Sequence, residues 1–330
     1  MEELYSDPSL MEFPLTLHLS MVKDKARMRA FARALKAVIT PGCTVVDIGT
    51  GTGVLAFLAA RLGAGTVIGF DRSDIVDRAR KVQRINFPRG QIRFEKLDVL
   101  TDRLPKIQAD IVVCELLGNF GLEENMITVL SKVREKLLKP GGLLIPSKVE
   151  LRIAPVQCKE AYRDIGGWKR PMLGMDFSPL QELAYNSVYH IADQPVTLLA
   201  QPASITEIDM RTVKKHPKEL VSDFQFSRAG LLHGFAGWFR AELAEGQYLS
   251  TGPKDPETHW GQVFFPVGDP IAVERGGSAR FRFQERYTGE ETRWHWSGQV
   301  GPKATSSRSS GRPQQFAYSA SREFYDDYAA

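Results

Sequence analysis

The sequence predicts an α/β protein: a doubly wound, largely parallel sheet followed by a region of antiparallel sheet. Three observations carry this. Between Thr44 and Pro146, β-branched runs alternate four times with amphipathic helical stretches. After Pro146, apolar and polar residues alternate with period two between Gly and Pro turns, as in Val149-Glu150-Leu151-Arg152-Ile153, which is the pattern of a barrel or sandwich. The length of 330 residues is enough for two cores and a tail.

Taken in order, residues 18–39 place Met21, Met28, Phe31, Leu35 and Val38 at near-helical spacing with basic residues opposite, and Pro41-Gly42 ends that helix. Val45-Val46-Asp47-Ile48 reads as a strand running into the glycine turn Gly49-Thr50-Gly51-Thr52-Gly53, and a helix opens at Val54. Thr66–Asp71 is a second strand, 73–85 a helix, Ile92–Lys96 a third strand and Ala109–Glu115 a fourth. A helix over about 124–138 meets Lys139-Pro140-Gly141-Gly142, and a strand starts at Leu143. Period-two runs recur at Ala203–Thr212, Leu231–Glu242 and Arg280–Phe283. From Gly301 the composition turns to Ser, Gly, Arg and Gln, which reads as a disordered tail over 301–330.

Bulk properties narrow the function classes. Charged residues make up 25% of the chain and the net charge is only +4, so no direct nucleic-acid binding is expected. Cys43, Cys114 and Cys158 are widely spaced without a C-x-x-C pair, which suits reduced cytoplasmic thiols and offers no metal site. The acidic N-terminus, broken by Pro8, does not read as a signal peptide, and no apolar run approaches the ~20 residues a membrane helix needs.

The chemistry gathers at strand ends. A strand, a glycine turn and a helix form the unit that brings backbone close to a ligand. The spacing G-x-G-x-G after an acid departs from the dinucleotide fingerprint and matches S-adenosylmethionine (SAM) methyltransferases. Four strand ends carry acids, namely Asp47, Asp71, Asp98 and Glu115. Asp71, 22 residues after Gly49, suits ribose hydroxyls. Asp98 is placed to accept from the adenine amino group, and Asp47 to orient the loop from behind. Gly49, Thr50, Gly51 and Gly53 complete the expected cofactor cradle.

Three separated motifs then resemble the protein arginine N-methyltransferase family. Glu115 and Glu124, nine positions apart across a glycine-containing loop, resemble its double-E loop; Glu123 creates an ambiguity of register that the nine-residue spacing decides for Glu124. Thr258-His259-Trp260 resembles its THW loop, and His18, Met21, Asp24 and Arg27 follow the order in which that family closes a helix over the cofactor. The resemblance runs from about residue 18 to 296.

It implies a Rossmann-like SAM-binding domain over 18–146 behind an N-terminal segment 1–17. It also implies a β-barrel substrate domain over 147–300 with a dimerisation arm at about 158–190, and head-to-tail homodimers. By the same resemblance, Glu115 and Glu124 clamp the guanidinium, while His259, paired with Asp24, takes the proton. Arg27 meets the cofactor carboxylate, Met21 and Met126 shape the methyl-accepting pocket, and Trp260 walls the substrate pocket or fills a core. Two carboxylates suit this acceptor because a guanidinium is planar, permanently charged and gripped by bidentate hydrogen bonds.

The family's YFxxY motif has no match here, since Pro8-Ser9-Leu10-Met11-Glu12 occupies that region. Free arginine or another small guanidino compound is therefore the alternative acceptor, a catalytically weak scaffold is the second alternative, and product type stays open. Arg308 and Arg312, in an SSRSSGRP context, make the tail a candidate for automethylation.

Overall fold

A computed structural model describes residues 14–302 and 313–321, apart from 89, 193 and 288–291. The two N-terminal helices are α1 (Leu15–Lys23) and α2 (Lys25–Val38). Periodicity alone predicts one helix over 18–39; the break falls at Asp24, whose extended backbone leaves its carboxylate free to cap α2 by accepting the Arg27 N–H at 2.8 Å.

The parallel sheet follows, with helices between all consecutive strands except β3 and β4, which a loop connects: β1 (Thr44–Ile48), α3 (Val54–Arg61), β2 (Thr66–Asp71), α4 (Ile75–Asn86), β3 (Ile92–Lys96), β4 (Ala109–Cys114), α5 (Met126–Lys136) and β5 (Leu138–Ile145). Its order is β3-β2-β1-β4-β5, every neighbouring pair parallel. Both faces are covered, so Val45, Val46, Ile48, Val112 and Val113 are all buried and the strands read as apolar runs rather than alternating ones. The chain winds outward from β1 to β3 and then returns to β4 on the other side. The carboxyl ends of β1 and β4 therefore flank the switch point at which such sheets bind ligands. The glycine loop and Glu115 lie at those two ends.

The second region opens with β6 (Lys148–Gln157) and the arm helices α6 (Lys159–Ile165) and α7 (Gln181–Tyr185). Then come β7 (Tyr189–Ile191), β8 (Thr197–Leu198), β9 (Ala203–Asp209), β10 (Leu220–Gln225), β11 (Gly230–Ala244), β12 (Gln247–Ser250), β13 (Gln262–Val273), β14 (Ser278–Tyr287), β15 (Thr292–Gly301) and β16 (Gln314–Ser321). One sheet runs β7-β13-β11-β6-β8, with β12 on β11 and β9 on β6; a second runs β10-β14-β15-β16. Their inner faces meet around Phe265, whose ring lies 5.6 Å from Phe281, Phe283 and Trp296 and 5.8 Å from Trp294. Such aromatic contacts add to the burial that holds the barrel closed.

β16 corrects the expectation of a disordered tail from Gly301. Residues 314–321 pair antiparallel with β15, and Phe316 is buried 5.8 Å from Phe235. The Ser- and Gly-rich composition of 303–312 masked the alternation that follows it; those residues, and with them Arg308 and Arg312, lie outside the described ones.

The arm leaves the barrel between β6 and β7. Its footing is Asp269 on β13, which accepts from Tyr185 Oη at 2.8 Å, from Tyr162 Oη at 3.3 Å and from the Lys169 ammonium. Trp168 and Phe177 pack on each other at 6.4 Å inside the arm. The large apolar groups it presents outward are Met172, Leu173, Met175, Leu180 and Leu183.

Candidate active site

The glycine loop has the conformation its sequence requires. Gly49, Gly51 and Gly53 all have positive φ (67°, 53° and 85°), which costs a residue with a Cβ roughly 1 kcal/mol or more. At Gly53 a Cβ would also lie 2.6 Å from the Phe94 ring, and at Gly51 it would crowd the His18 imidazole. His18 on α1 thus lies directly over the loop.

Asp47 sits beneath the loop, fully buried. Its Oδ2 accepts from Thr50 Oγ1 at 2.6 Å and from the Ala56 N–H at 3.1 Å. Burial pushes its carboxyl up to about 7 even though both hydrogen bonds pull the other way. Asp71 holds the loop's other flank: Oδ2 accepts the Gly51 N–H at 2.8 Å, and Oδ1 accepts from Ser73 N and Oγ at 2.9 and 2.7 Å. Asp98 stands apart, half-buried, with Oδ1 accepting the Leu100 N–H at 2.7 Å.

The second cluster forms around Arg27. Its Nε and Nη2 both donate to Glu115 Oε2, at 3.0 and 2.6 Å, with only 5% and 8% of the two side chains exposed. Nη1 donates to the Met21 carbonyl at 3.2 Å. The guanidinium also lies over Phe31 and Trp260, 5.5 and 5.9 Å from their centroids. An ion pair this buried holds geometry more than it adds stability, and removing one partner typically costs about 3–5 kcal/mol. The first glutamate of the pair is therefore already oriented by a guanidinium of the chain itself.

Asp24 links this cluster to the THW loop across 235 positions. Its Oδ2 accepts both the His259 backbone N–H and His259 Nδ1, each at 2.9 Å. Burial works to raise the Asp24 carboxyl, but the His259 ring and the backbone N–H groups of Arg27 and His259 outweigh it and hold the group below its ordinary value. Asp24 is consequently an ionised acceptor, Nδ1 must carry its proton, and Nε2 is left as the basic edge of the ring. Trp260 is buried, its edge on Phe239 at 5.2 Å and its face toward Arg27. Of the two roles expected for it, filling a core is the one its burial supports, with the Arg27 guanidinium lying over its ring.

Burial of His18 lowers its imidazole, with Arg27 adding to that and Asp71 opposing it. It stays neutral at physiological pH beside the loop.

The loop from Glu115 to Glu124 crosses from the sheet into the barrel mouth. Phe120 is buried against Phe265, Phe283 and Trp294 at 5.5–5.9 Å, and Gly121 passes so close that a Cβ would meet Leu151 and Phe239. Glu115 and Glu124 both act on Cys114: its thiol is raised first by burial, then by Asp47 and these two carboxylates. Glu124 is half-exposed, whereas Glu123 is buried and turned into the loop. Met126 begins α5 fully buried, behind Asn125 in a left-handed conformation.

Most of the expected residues thus fall into two joined groups, the loop set (Asp47, Gly49–Gly53, Asp71, with His18) and the Arg27–Glu115–Asp24–His259–Trp260 network, while Glu124 ends the acidic loop and Met126 lies in the core. Asp98 stands outside both.

A turn of positive-φ glycines braced by Asp47 and Asp71, beside the buried Arg27–Glu115 pair and a histidine–aspartate couple, is the arrangement expected of a SAM-type transferase acting on a cation. Comparison with known proteins narrows this. Residues 147–292 match the arginine methyltransferase oligomerization subdomain, and residues 30–156 match the ribosomal protein L11 methyltransferase model. Protein arginine N-methyltransferase 1 of Dictyostelium discoideum is 31% identical over 267 residues, covering 79% of this chain and 78% of that one. Protein arginine N-methyltransferase 6 of Xenopus tropicalis is 31% identical over 287 residues, covering 83% and 82%. A solved PRMT1 enzyme–prozyme heterotetrameric complex with AdoHcy from Trypanosoma brucei superposes with a TM-score of 0.78 over 92% of this chain and 98% of that one; at 23% identity it speaks for the fold. The chain belongs to the protein arginine N-methyltransferase family, and its function is SAM-dependent methylation of arginine.

Proposed function

We propose that the reaction is methyl transfer to a guanidino nitrogen of arginine within a protein or peptide, with Glu115 and Glu124 as the clamp. The observation that carries this reading is the Arg27–Glu115 pair: the site already orients one guanidinium in its acidic loop, with two donors on one carboxylate oxygen.

SAM supplies an electrophilic sulfonium methyl. The residues suited to hold it are Gly49–Gly53 by backbone approach, Asp71 at the ribose and Arg27 at the amino-acid carboxylate, with Asp98 the adenine candidate on its strand-end position alone. The fit rests on the three positive-φ glycines, Gly49, Gly51 and Gly53, whose backbone no Cβ covers, and on Asp71, which braces the loop by accepting the Gly51 N–H. Glu115 and Glu124 fix the acceptor guanidinium and draw its positive charge toward the nitrogens that do not react, so that the attacking nitrogen regains its lone pair. After transfer the substituted nitrogen sheds a proton, for which His259 Nε2 is the base. Ionised Asp24 orients the ring and stabilises the imidazolium that forms. Met21 supplies adaptable apolar contact beside the acceptor, whereas Met126, expected to do the same, is fully buried in the core.

Oligomerisation is part of the same reading. Leu173 is 92% exposed with φ 52° at the tip of the arm, an apolar residue displayed at a conformational cost. Such a residue is suited to a partner surface, and a homodimer is the assembly we propose. Among the described residues no helix is long and apolar enough to cross a membrane; the buried, unpaired cysteines are consistent with a cytoplasmic setting.

The test is Glu124→Gln. SAM binding by calorimetry is expected to stay within about threefold while transfer to an Arg-Gly-rich peptide falls about 100-fold, the scale of losing one preorganised electrostatic contact. Unchanged transfer would remove Glu124 from the clamp.

A further inference from the structure

We infer that Glu123, the third carboxylate of the acidic loop, is a positioning residue that sets the separation of the two clamping glutamates; this rests on the clamp assignment above. The loop must carry its backbone into an aromatic barrel mouth, and the N–H groups that enter with it need acceptors. Glu123 provides them. Its Oε1 accepts the Phe120 N–H at 2.5 Å and its Oε2 accepts the Leu122 N–H at 3.1 Å, with the whole residue only 5% exposed.

The backbone is shaped around that carboxylate. Gly118 has φ 60°, and a Cβ there would overlap the carboxylate, lying within 2.8 Å of both Cδ and Cβ of Glu123. Gly121, with φ 90°, makes the second left-handed step between the two accepted N–H groups. The result is an anion nest built by the chain for its own side chain. Glu115 leaves the nest at one end, oriented by Arg27. Glu124, adjacent to Glu123 in sequence, leaves at the other. Any shift of the Glu123 carboxylate therefore moves Glu124 relative to Glu115.

A neutral isostere cannot satisfy the nest. Glutamine keeps one accepting oxygen but turns an NH2 group toward the second N–H, and a charge-assisted bond is lost as well. A buried donor is then left unpaired in the one segment that carries both clamping groups.

The test compares Glu123→Gln and Gly118→Ala, which break the nest from opposite sides, with wild type. Three readouts are taken: amide hydrogen exchange of the 116–124 segment, SAM affinity by calorimetry, and kcat and KM for an Arg-Gly-rich peptide. In both variants, exchange at Phe120 and Leu122 is expected to accelerate at least tenfold. SAM affinity is expected within threefold of wild type, with kcat down 10- to 100-fold. Glu123→Asp, which keeps the charge on a shorter arm, is expected to recover part of the exchange protection and of kcat. Wild-type kcat in both variants would overturn the inference, as would exchange unchanged from wild type. So would a loss of SAM affinity as large as the loss of kcat, since that means a general disruption. If the wild-type enzyme does not methylate the peptide, the acceptor assignment fails separately, and the exchange data still decide whether Glu123 holds the loop.

Discussion

Asp24 performs two tasks with two oxygens. Oδ1 caps α2 on the Arg27 N–H, and Oδ2 takes both bonds from His259. Asp24→Asn keeps a competent cap but turns an NH2 group toward donors on one side. The expected result is a fall in transfer of 10- to 100-fold with only a few degrees lost in Tm, read by peptide kinetics and calorimetry. Asp24→Ala should additionally lose about 1 kcal/mol of helix stability.

Asp47 gives a pH signature instead. Its carboxyl rises from an ordinary 3.8 to about 7 on folding, so between those values the native state binds more protons than the unfolded one. Stability therefore falls as pH rises from about 4 to 7 and levels off above, by an amount on the order of 4 kcal/mol as an upper bound. Denaturant unfolding of the ligand-free enzyme at pH 5 and 7.5 should show this difference shrinking in Asp47→Asn. An equal difference in both proteins would show that Asp47 is not the group responsible.

Much at the residue scale was readable in advance. The glycine loop, Asp71 and the glutamate spacing rest on residue types at fixed separations, whereas the His259–Asp24 partnership, 235 positions apart, was expected only from the family resemblance. The ion pair between Arg27 and Glu115 was not, because it joins residues 88 positions apart through tertiary packing. Nor was the nest of Glu123: its signal, an extra acid in a loop with two glycines, is shared with solvated loops, and only burial tells them apart.

At the scale of elements, α/β alternation and period-two texture were legible because they depend on which faces are buried. Two errors have physical causes. The helix expected over 18–39 breaks at Asp24, since a cap is a local hydrogen bond that apolar spacing does not register. β16 was hidden because its neighbours in sequence are polar and its partner, β15, lies across residues that carry no strand pattern. Truncation after Pro302 would expose the β15 edge and remove Phe316 and Tyr318 from Phe235 and Trp296. Losing such buried aromatics costs several kcal/mol. The truncated protein is expected to unfold at least 5 °C below full length; equal thermal stability would restore the reading of a dispensable tail. The arm offers a second element-scale outcome. Leu173→Asp should weaken self-association in sedimentation at micromolar concentration and leave the Tm of the separated protomer unchanged.

At the scale of the whole molecule, the site is a junction. The loop from Glu115 to Glu124 is anchored in the sheet at Cys114 and in the barrel at Phe120, and Asp24 on the N-terminal helices meets His259 on the barrel. Neither domain alone assembles the network, which is why the residues that form it run from Asp24 to Trp260. The central claim, that this junction clamps an arginine guanidinium for methyl transfer, is tested most directly by mass spectrometry of products. SAM would be incubated with the enzyme and either an Arg-Gly-rich peptide or free L-arginine. Methyl additions confined to guanidino nitrogens of the peptide, abolished in Glu115→Gln and Glu124→Gln, are the predicted result. Methylation of free arginine in preference to the peptide would contradict the protein acceptor, and transfer that persists in both glutamine variants would contradict the clamp.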